Sequence, residues 1–227
     1  MEFPSYKKAR RDIVEFGKRM YARGFANSND GNLSARVSEN AAWVTPSGVS
    51  KGFMTEDMLV LVDLDGNILE GTAKPSSETK LHLALYKSSP DILAVAHAHP
   101  PVATTFAAAG IPLDEALVQE SVILLGVVPV APYAAPGSEA LAESVVPFCA
   151  DYNALLLEHH GAVSWGESLE RAFYRLESLE FTATVMMNSR LMNITRPLTE
   201  AQIDELIKLR PGWKVTRGGI PKGRKNK

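Results

Sequence analysis

Ile92-Leu93-Ala94-Val95-Ala96-His97-Ala98-His99-Pro100-Pro101 is an apolar run closed by two alternating histidines and two prolines. A short, continuous apolar run ended by a breaker is the pattern of a strand buried on both faces. Residues two apart on a strand share a face, so His97 and His99 project to the same side. Two imidazoles at the end of a buried strand would be costly without a partner, and at this separation they can share one metal ion. A second buried-type strand, Ala154–Leu157, runs into Glu158-His159-His160-Gly161. Only one of two adjacent histidines can face a given side of a strand, so this pair supplies a third ligand and leaves a spare. Three histidines suit zinc or a similar divalent ion, with a position left for substrate or a carboxylate. The His97/His99 pair alone reads more readily as hydrogen-bonded structural histidines; with the second cluster the metal and structural readings weigh about evenly.

Outward from these strands, the periodicity predicts an amphipathic helix over residues 5–24, stopped at Gly24, and the polar loop Asn27–Asn32. Leu33–Val37 and Ala42–Thr45 read as a hairpin across residues 38–41, and Met58–Asp63 as a strand closed by the turn residues Leu64–Asn67. Pro75-Ser76-Ser77-Glu78 opens a helix to about Lys87, with Ser76 or Ser77 as its cap. Further helices are expected over residues 102–109, 137–151, 169–191 and 199–209, with strands at 127–130 and 162–165. The longest, Leu169–Leu191, keeps Leu169, Ala172, Phe173, Leu176, Leu179, Ala183 and Met187 on one face. No repeat or linker divides residues 1–209, which read as one α/β domain with helices flanking a mixed or antiparallel sheet. Residues 210–227 read as a basic, flexible tail.

The acid with the most telling setting is Glu78, directly after two serines. At a helix N-terminus a glutamate is commonly a dipole partner, a role that gives way to chemistry if it lies beside a metal. His82, four residues on along the same helix face, is a second candidate ligand or a partly buried helix histidine. Gly31-Asn32, Ser47-Gly48 and Ser76-Ser77 are small-residue loops. Their hydroxyls, amide and exposed backbone N–H groups are what phosphate oxygens accept from, although each alone is also an ordinary turn. Neither Gly-x4-Gly-Lys-Ser/Thr nor a GxGxxG after a strand occurs, so nucleotide binding is not supported.

Composition narrows the class. The 227 residues are 45% hydrophobic and 22% charged, ordinary for a globular protein. The single Cys149 excludes an intramolecular disulfide and a cysteine-built zinc site, and a reduced cytoplasmic setting is the default. The N-terminal residues are not a secretory signal, and no apolar stretch reaches the ~18 residues of a membrane span. Formal net charge is −2, unevenly placed. Lys208–Lys227 holds eight basic residues and no acid, leaving sixteen basic against twenty-six acidic residues, a net of −10, in the rest. Lys222–Lys227 lacks the interleaved aromatics of a nucleic-acid patch and reads as a solvated segment.

Taken in order, Gly31-Asn32-Leu33-Ser34, Thr45-Pro46-Ser47-Gly48, Lys74-Pro75-Ser76-Ser77-Glu78, His97-Ala98-His99-Pro100 and His159-His160-Gly161 resemble the class II aldolase/adducin family. The resemblance spans roughly residues 5–195. It implies a three-layer α/β/α sandwich with a central, largely antiparallel sheet. It implies zinc held by His97, His99 and His160, and Glu78 covering the metal at rest and acting as base once substrate binds. Gly31, Asn32, Ser47, Gly48, Ser76 and Ser77 match the residues that hold the substrate phosphate. The implied reaction is cleavage of a fuculose-like ketose 1-phosphate to dihydroxyacetone phosphate and an aldehyde through a metal-stabilised enediolate. A cytoplasmic homotetramer with active sites at subunit interfaces is implied too. The chain departs from the pattern at Leu117-Val118-Gln119-Glu120-Ser121, where the family supplies a proton-donating tyrosine to the next subunit; Tyr133 matches a different position. Related chemistries in the family are methylthioribulose-phosphate dehydration, decarboxylation of a 3-oxo sugar-acid phosphate, and sugar-phosphate 4-epimerisation, the last typically with Asp where Glu78 stands. The non-catalytic alternative is an adducin-like binding module, whose site need not keep these residues.

Overall fold

The computed structural model describes residues 2–193 and 196–224. Helix α1 (Tyr6–Ala22) leads to a hairpin of β1 (Asn32–Ser38) and β2 (Ala41–Val44). Strands β3 (Val60–Asp63) and β4 (Ile68–Glu70) follow, then α2 (Thr79–Ser88), β5 (Ala94–Ala98) and α3 (Pro101–Ala108). The second half runs α4 (Gln119–Leu124), β6 (Val130–Ala131), α5 (Glu139–Val145), β7 (Ala154–Leu157), β8 (Gly161–Gly166), α6 (Leu169–Leu191) and α7 (Glu200–Ile207). The eight strands form one sheet in the order β4-β3-β2-β1-β5-β8-β7-β6, antiparallel except for the β6–β7 pair.

Strand parity divides the core into two layers. Ala94, Ala96 and Ala98 of β5 and Leu33, Ala35 and Val37 of β1 face the layer of α1, α3 and α6. Val95, Leu155, Leu157, Val163 and Trp165 face the opposite layer, with Leu81 and Leu85 of α2 and Leu141 and Val145 of α5. The alanines of β5 let α6 lie close over the sheet, and the buried face of α6 is Leu169, Ala172, Phe173, Leu176, Leu179, Ala183 and Met186. Met186 is buried at the end of that stripe, and Met187, five full turns after Leu169, is partly buried and packs against the same core. The result is the expected three-layer sandwich around a largely antiparallel sheet. No helix among the described residues is long and apolar enough to cross a membrane.

Several boundaries differ from the sequence expectation. Strand β4 is a three-residue edge strand with Ile68 and Leu69 half exposed, so no buried alternation announces it. Helix α4 is six residues long, too short for a periodic signal. The helix expected over 137–151 stops at Val145 and tightens into a 3-10 turn at Val146–Phe148, where Pro147 removes a backbone donor. The cap position of α2 is Glu78, not Ser76 or Ser77; Ser76 Oγ instead accepts from the Glu78 backbone N–H at 3.3 Å.

The segment expected as a free tail is strapped to the body as far as it is described. Gly218 donates its N–H to Asp151 O at 2.7 Å and accepts from Val127 N at 2.6 Å. Arg210 is buried and donates to the carbonyls of Val122 and Gly219, at 2.7 and 2.8 Å. Arg217 pairs with Asp91 at 2.8 Å and Lys222 with Asp114 at 2.6 Å. Part of the tail's positive charge therefore meets the acidic body; Lys225 and Lys227 lie outside the described residues. Gly126, at φ +70°, makes the close approach possible: a Cβ there would stand 1.9 Å from Gly218 O. Gly126→Ala is thus expected to lift the strap and destabilise the fold by about 2 kcal/mol, measured as a lower urea midpoint; an unchanged midpoint would show that the strap adds nothing.

Candidate active site

Three chain segments meet at one end of the sheet. Asn32 at the start of β1 lies directly opposite His97 near the end of the antiparallel β5. Cross-strand neighbours share a face, so both side chains point into the α2 layer. One strand further across, the β7–β8 turn carries His160 to the same place. His159 adopts a left-handed conformation, φ +57°, which turns the chain so that His160 points inward while His159 is exposed. Gly161 follows because there is no room for more: a Cβ would stand 2.6 Å from Ala98 O and from His99 Cδ2.

The imidazoles of His97, His99 and His160 lie 4.7 to 5.1 Å apart by ring centroid. One nitrogen from each falls within 4.8 Å of the others, a group able to hold a metal ion. His97 is fully buried, and its Nδ1 donates to Ala162 O at 2.9 Å, which leaves the Nε2 lone pair free. His97 Nε2, His99 Nε2 and Glu78 Oε1 are buried without an aligned hydrogen-bond partner. Such orphaned atoms ordinarily cost about 1–3 kcal/mol each, and a divalent cation would satisfy all of them. The donor set therefore fits a metal. His82 is not in this group.

The Glu78 carboxylate stands 3.0 Å from His97 Nε2 and 3.1 Å from His160 Nε2. Burial alone would raise its pKa, but the two imidazoles outweigh burial and hold the carboxyl well below its usual range. Behind it lies a buried row of hydrogen bonds. Asn32 Nδ2 donates to Glu78 Oε2 at 2.7 Å, which leaves Asn32 Oδ1 to accept from His82 Nε2 at 2.6 Å. With Nε2 protonated, His82 Nδ1 accepts from Ser34 Oγ at 2.6 Å, and Ser34 accepts from the Tyr86 hydroxyl at 2.5 Å. Burial, reinforced by His97, pushes His82 down to about 3, so it is neutral at physiological pH. The spacing of Glu78 and His82 had suggested two groups on one helix face; the structure links them through an asparagine from another strand. His82→Leu is expected to leave Asn32 and Ser34 each short of a partner and to cost about 1–3 kcal/mol per group, read from denaturant unfolding. Wild-type stability in that variant would mean that the row is not holding the site.

The three anion-loop candidates also converge. Ser47 N donates to Lys74 O at 2.8 Å and Ser76 N to Thr45 O at 3.1 Å, so the loops 45–48 and 74–77 are zipped side by side. Together with Gly31 and Asn32 they line a cleft of about 280 Å³ whose wall includes Glu78, His99 and His160. The sequence had not singled out Lys51 or Asp30, which line the same cleft. Asp30 Oδ2 is 3.5 Å from His99 Nδ1. Lys51 is 1% exposed, and burial lowers its ammonium to about 8 against the opposing pull of Asp30 and Glu78.

A largely antiparallel sheet between two helical layers, with three histidines and a glutamate at one sheet end, is the architecture of a class II aldolase. The chain matches the Class II Aldolase and Adducin N-terminal domain over residues 11–187 and belongs to that family. It is 35% identical over 202 residues to the 3-oxo-tetronate 4-phosphate decarboxylase of Haemophilus influenzae, covering 86% of this chain and 93% of that one. It is 32% identical over 209 residues to the 5-deoxy-D-ribulose 1-phosphate aldolase of Bacillus thuringiensis, covering 91% and 97%. The solved structure of an L-fuculose 1-phosphate aldolase superposes with a TM-score of 0.82 at 28% identity, over 91% of this chain and 97% of that one.

Proposed function

We propose that the protein is a divalent-metal-dependent lyase that cleaves a fuculose-like ketose 1-phosphate to dihydroxyacetone phosphate and an aldehyde. The observation that carries this reading is the setting of Glu78: a buried carboxylate on the cleft wall, facing a three-histidine group and fixed from behind by Asn32. His97, His99 and His160 would hold the metal, and three imidazoles with an open position are a zinc donor set. Bound there, the metal supplies Lewis-acid stabilisation of charge developing on the substrate oxygens. Gly31, Asn32, Ser47, Gly48, Ser76 and Ser77 would take the phosphate through backbone N–H, hydroxyl and amide donors. In the condensing direction Glu78 takes a proton from C3 of dihydroxyacetone phosphate; in cleavage it returns one. Once the carboxylate leaves its imidazole partners, burial alone acts on it and raises its pKa toward that of a working base.

A second reading is decarboxylation of a 3-oxo sugar-acid phosphate, the activity named for the Haemophilus influenzae relative. It is favoured by residues 117–121, which carry no tyrosine; Ser121 is buried and hydrogen-bonded to Thr182 at 2.7 Å. That segment thus offers no phenol to handle the aldehyde oxygen, and loss of carbon dioxide needs none. The filled histidine and glutamate positions speak against an adducin-like binding module. The test is a substrate panel with metal-loaded protein. Fuculose and ribulose 1-phosphates are expected to release dihydroxyacetone phosphate, followed as NADH oxidation by glycerol-phosphate dehydrogenase. Silence there, with carbon dioxide released from 3-oxo-tetronate 4-phosphate, would establish the second reading; dehydration of methylthioribulose 1-phosphate would replace both. We also take the active form to be a homotetramer with clefts at subunit boundaries, supported by Phe53, 71% exposed and packed on Tyr21 near the cleft loops. Light scattering that found a monomer would refute it.

A further inference from the structure

Lys51 is an unusual lysine. Its side chain is almost wholly enclosed, yet no carboxylate pairs with it among the described residues; its ammonium donates to two backbone carbonyls, Asn29 O at 2.8 Å and Val49 O at 2.6 Å. Those carbonyls belong to the two loops that lead into Gly31-Asn32 and out of Ser47-Gly48. An ammonium has three donors, and the structure gives the third no protein partner. Lys51 lines the same cleft as Ser47, Ser76 and Glu78, and among the described residues no other lysine or arginine lines it. The loop packs closely against α1. Gly17 of α1 lets it pack tightly, since a Cβ there would meet Lys51 O at 3.0 Å and Met54 Cε at 3.1 Å.

Burying a lysine against carbonyls alone is costly unless a fuller partner arrives. We propose that Lys51 is a phosphate-binding residue: its ammonium clamps the two anion loops together and gives its third N–H to the substrate's phosphate, acting as the positive charge of an otherwise neutral donor set. This rests on the phosphate cleft of the proposed function and adds a residue to it. It also accounts for how a body with a strong excess of acids binds a dianion: the cation is enclosed beneath the loops rather than spread over the surface. Still charged at neutral pH, the ammonium is worth more there than on the surface, because water screens it little.

The experiment uses inorganic phosphate as the probe, titrated calorimetrically into metal-loaded wild-type, K51M and K51Q protein, with thermal melting to verify folding. Wild type is expected to bind phosphate, and both variants to bind it at least about ten-fold more weakly, the loss of one charge-assisted hydrogen bond. Folded variants that bind phosphate as well as wild type would overturn the role of Lys51 and leave the cleft standing. Wild type that binds no phosphate would overturn the cleft and Lys51 together. A variant that lost kcat with phosphate affinity unchanged would assign Lys51 to proton transfer instead and equally refute the proposal. Should neither variant fold, lysine-labelled wild type decides: the exchange-protected ammonium resonance is expected to shift on saturation with phosphate, and an unmoved signal refutes the contact.

Discussion

Glu78→Gln is expected to slow exchange of the C3 proton of dihydroxyacetone phosphate with solvent deuterium by ~10²–10⁴-fold, the usual contribution of a positioned base. No aldehyde is needed for this half-reaction, so it isolates proton abstraction from the unassigned donor. Glutamine preserves the volume of a side chain that is only 6% exposed, and its amide oxygen can still accept from Asn32 Nδ2. It cannot take up a proton. The histidine group is untouched, so metal content is expected to stay at about one ion per chain. Proton NMR follows the exchange and elemental analysis the metal. Undiminished exchange in the variant would remove Glu78 as the base.

His97→Ala is expected to reduce bound metal from about one ion per chain to a small fraction of that. His97 is the buried member of the group, and its Nδ1 bond to Ala162 O is what aims Nε2 at the shared position. Its loss removes one of the three proposed ligands and opens a cavity beside Glu78. An ion that binds the native state only must stabilise it, by RT ln(1 + [L]/Kd), so a chelator is expected to lower the wild-type melting temperature. In His97→Ala the chelator is expected to do nothing. A variant that kept full metal content would place the ion elsewhere.

The parity of strand residues made the site legible early. Alternation alone puts His97 and His99 on one face, and the structure needed only the β5–β8 register to bring His160 alongside. The layers were legible for the same reason, since Ala94, Ala96 and Ala98 face one way and Val95 and His97 the other. What escaped the sequence depends on contacts between distant segments. Nothing in Val49-Ser50-Lys51-Gly52 distinguishes Lys51 from a surface lysine; its enclosure exists only once the Asn29 carbonyl, twenty-two residues away, closes over it. His82 was open between a second ligand and a buried helix histidine, and it is the latter; its partner Asn32 lies on another element, fifty residues distant, out of reach of the local sequence. The tail looked free because its partners, Asp91, Asp114 and Asp151, are scattered along the body.

The row Tyr86–Ser34–His82–Asn32 has one further consequence. Every member donates toward Glu78, and the last is a carboxamide, which unlike a hydroxyl or imidazole does not hand a proton onward. The carboxylate is therefore anchored at its back and insulated there as well. Under the proposed mechanism, a proton it captures leaves on the cleft side, where His97, His160 and the substrate lie, rather than through the row behind it. The ratio of label returned to label washed out would then be set by the residues in front of Glu78 and be indifferent to those behind it.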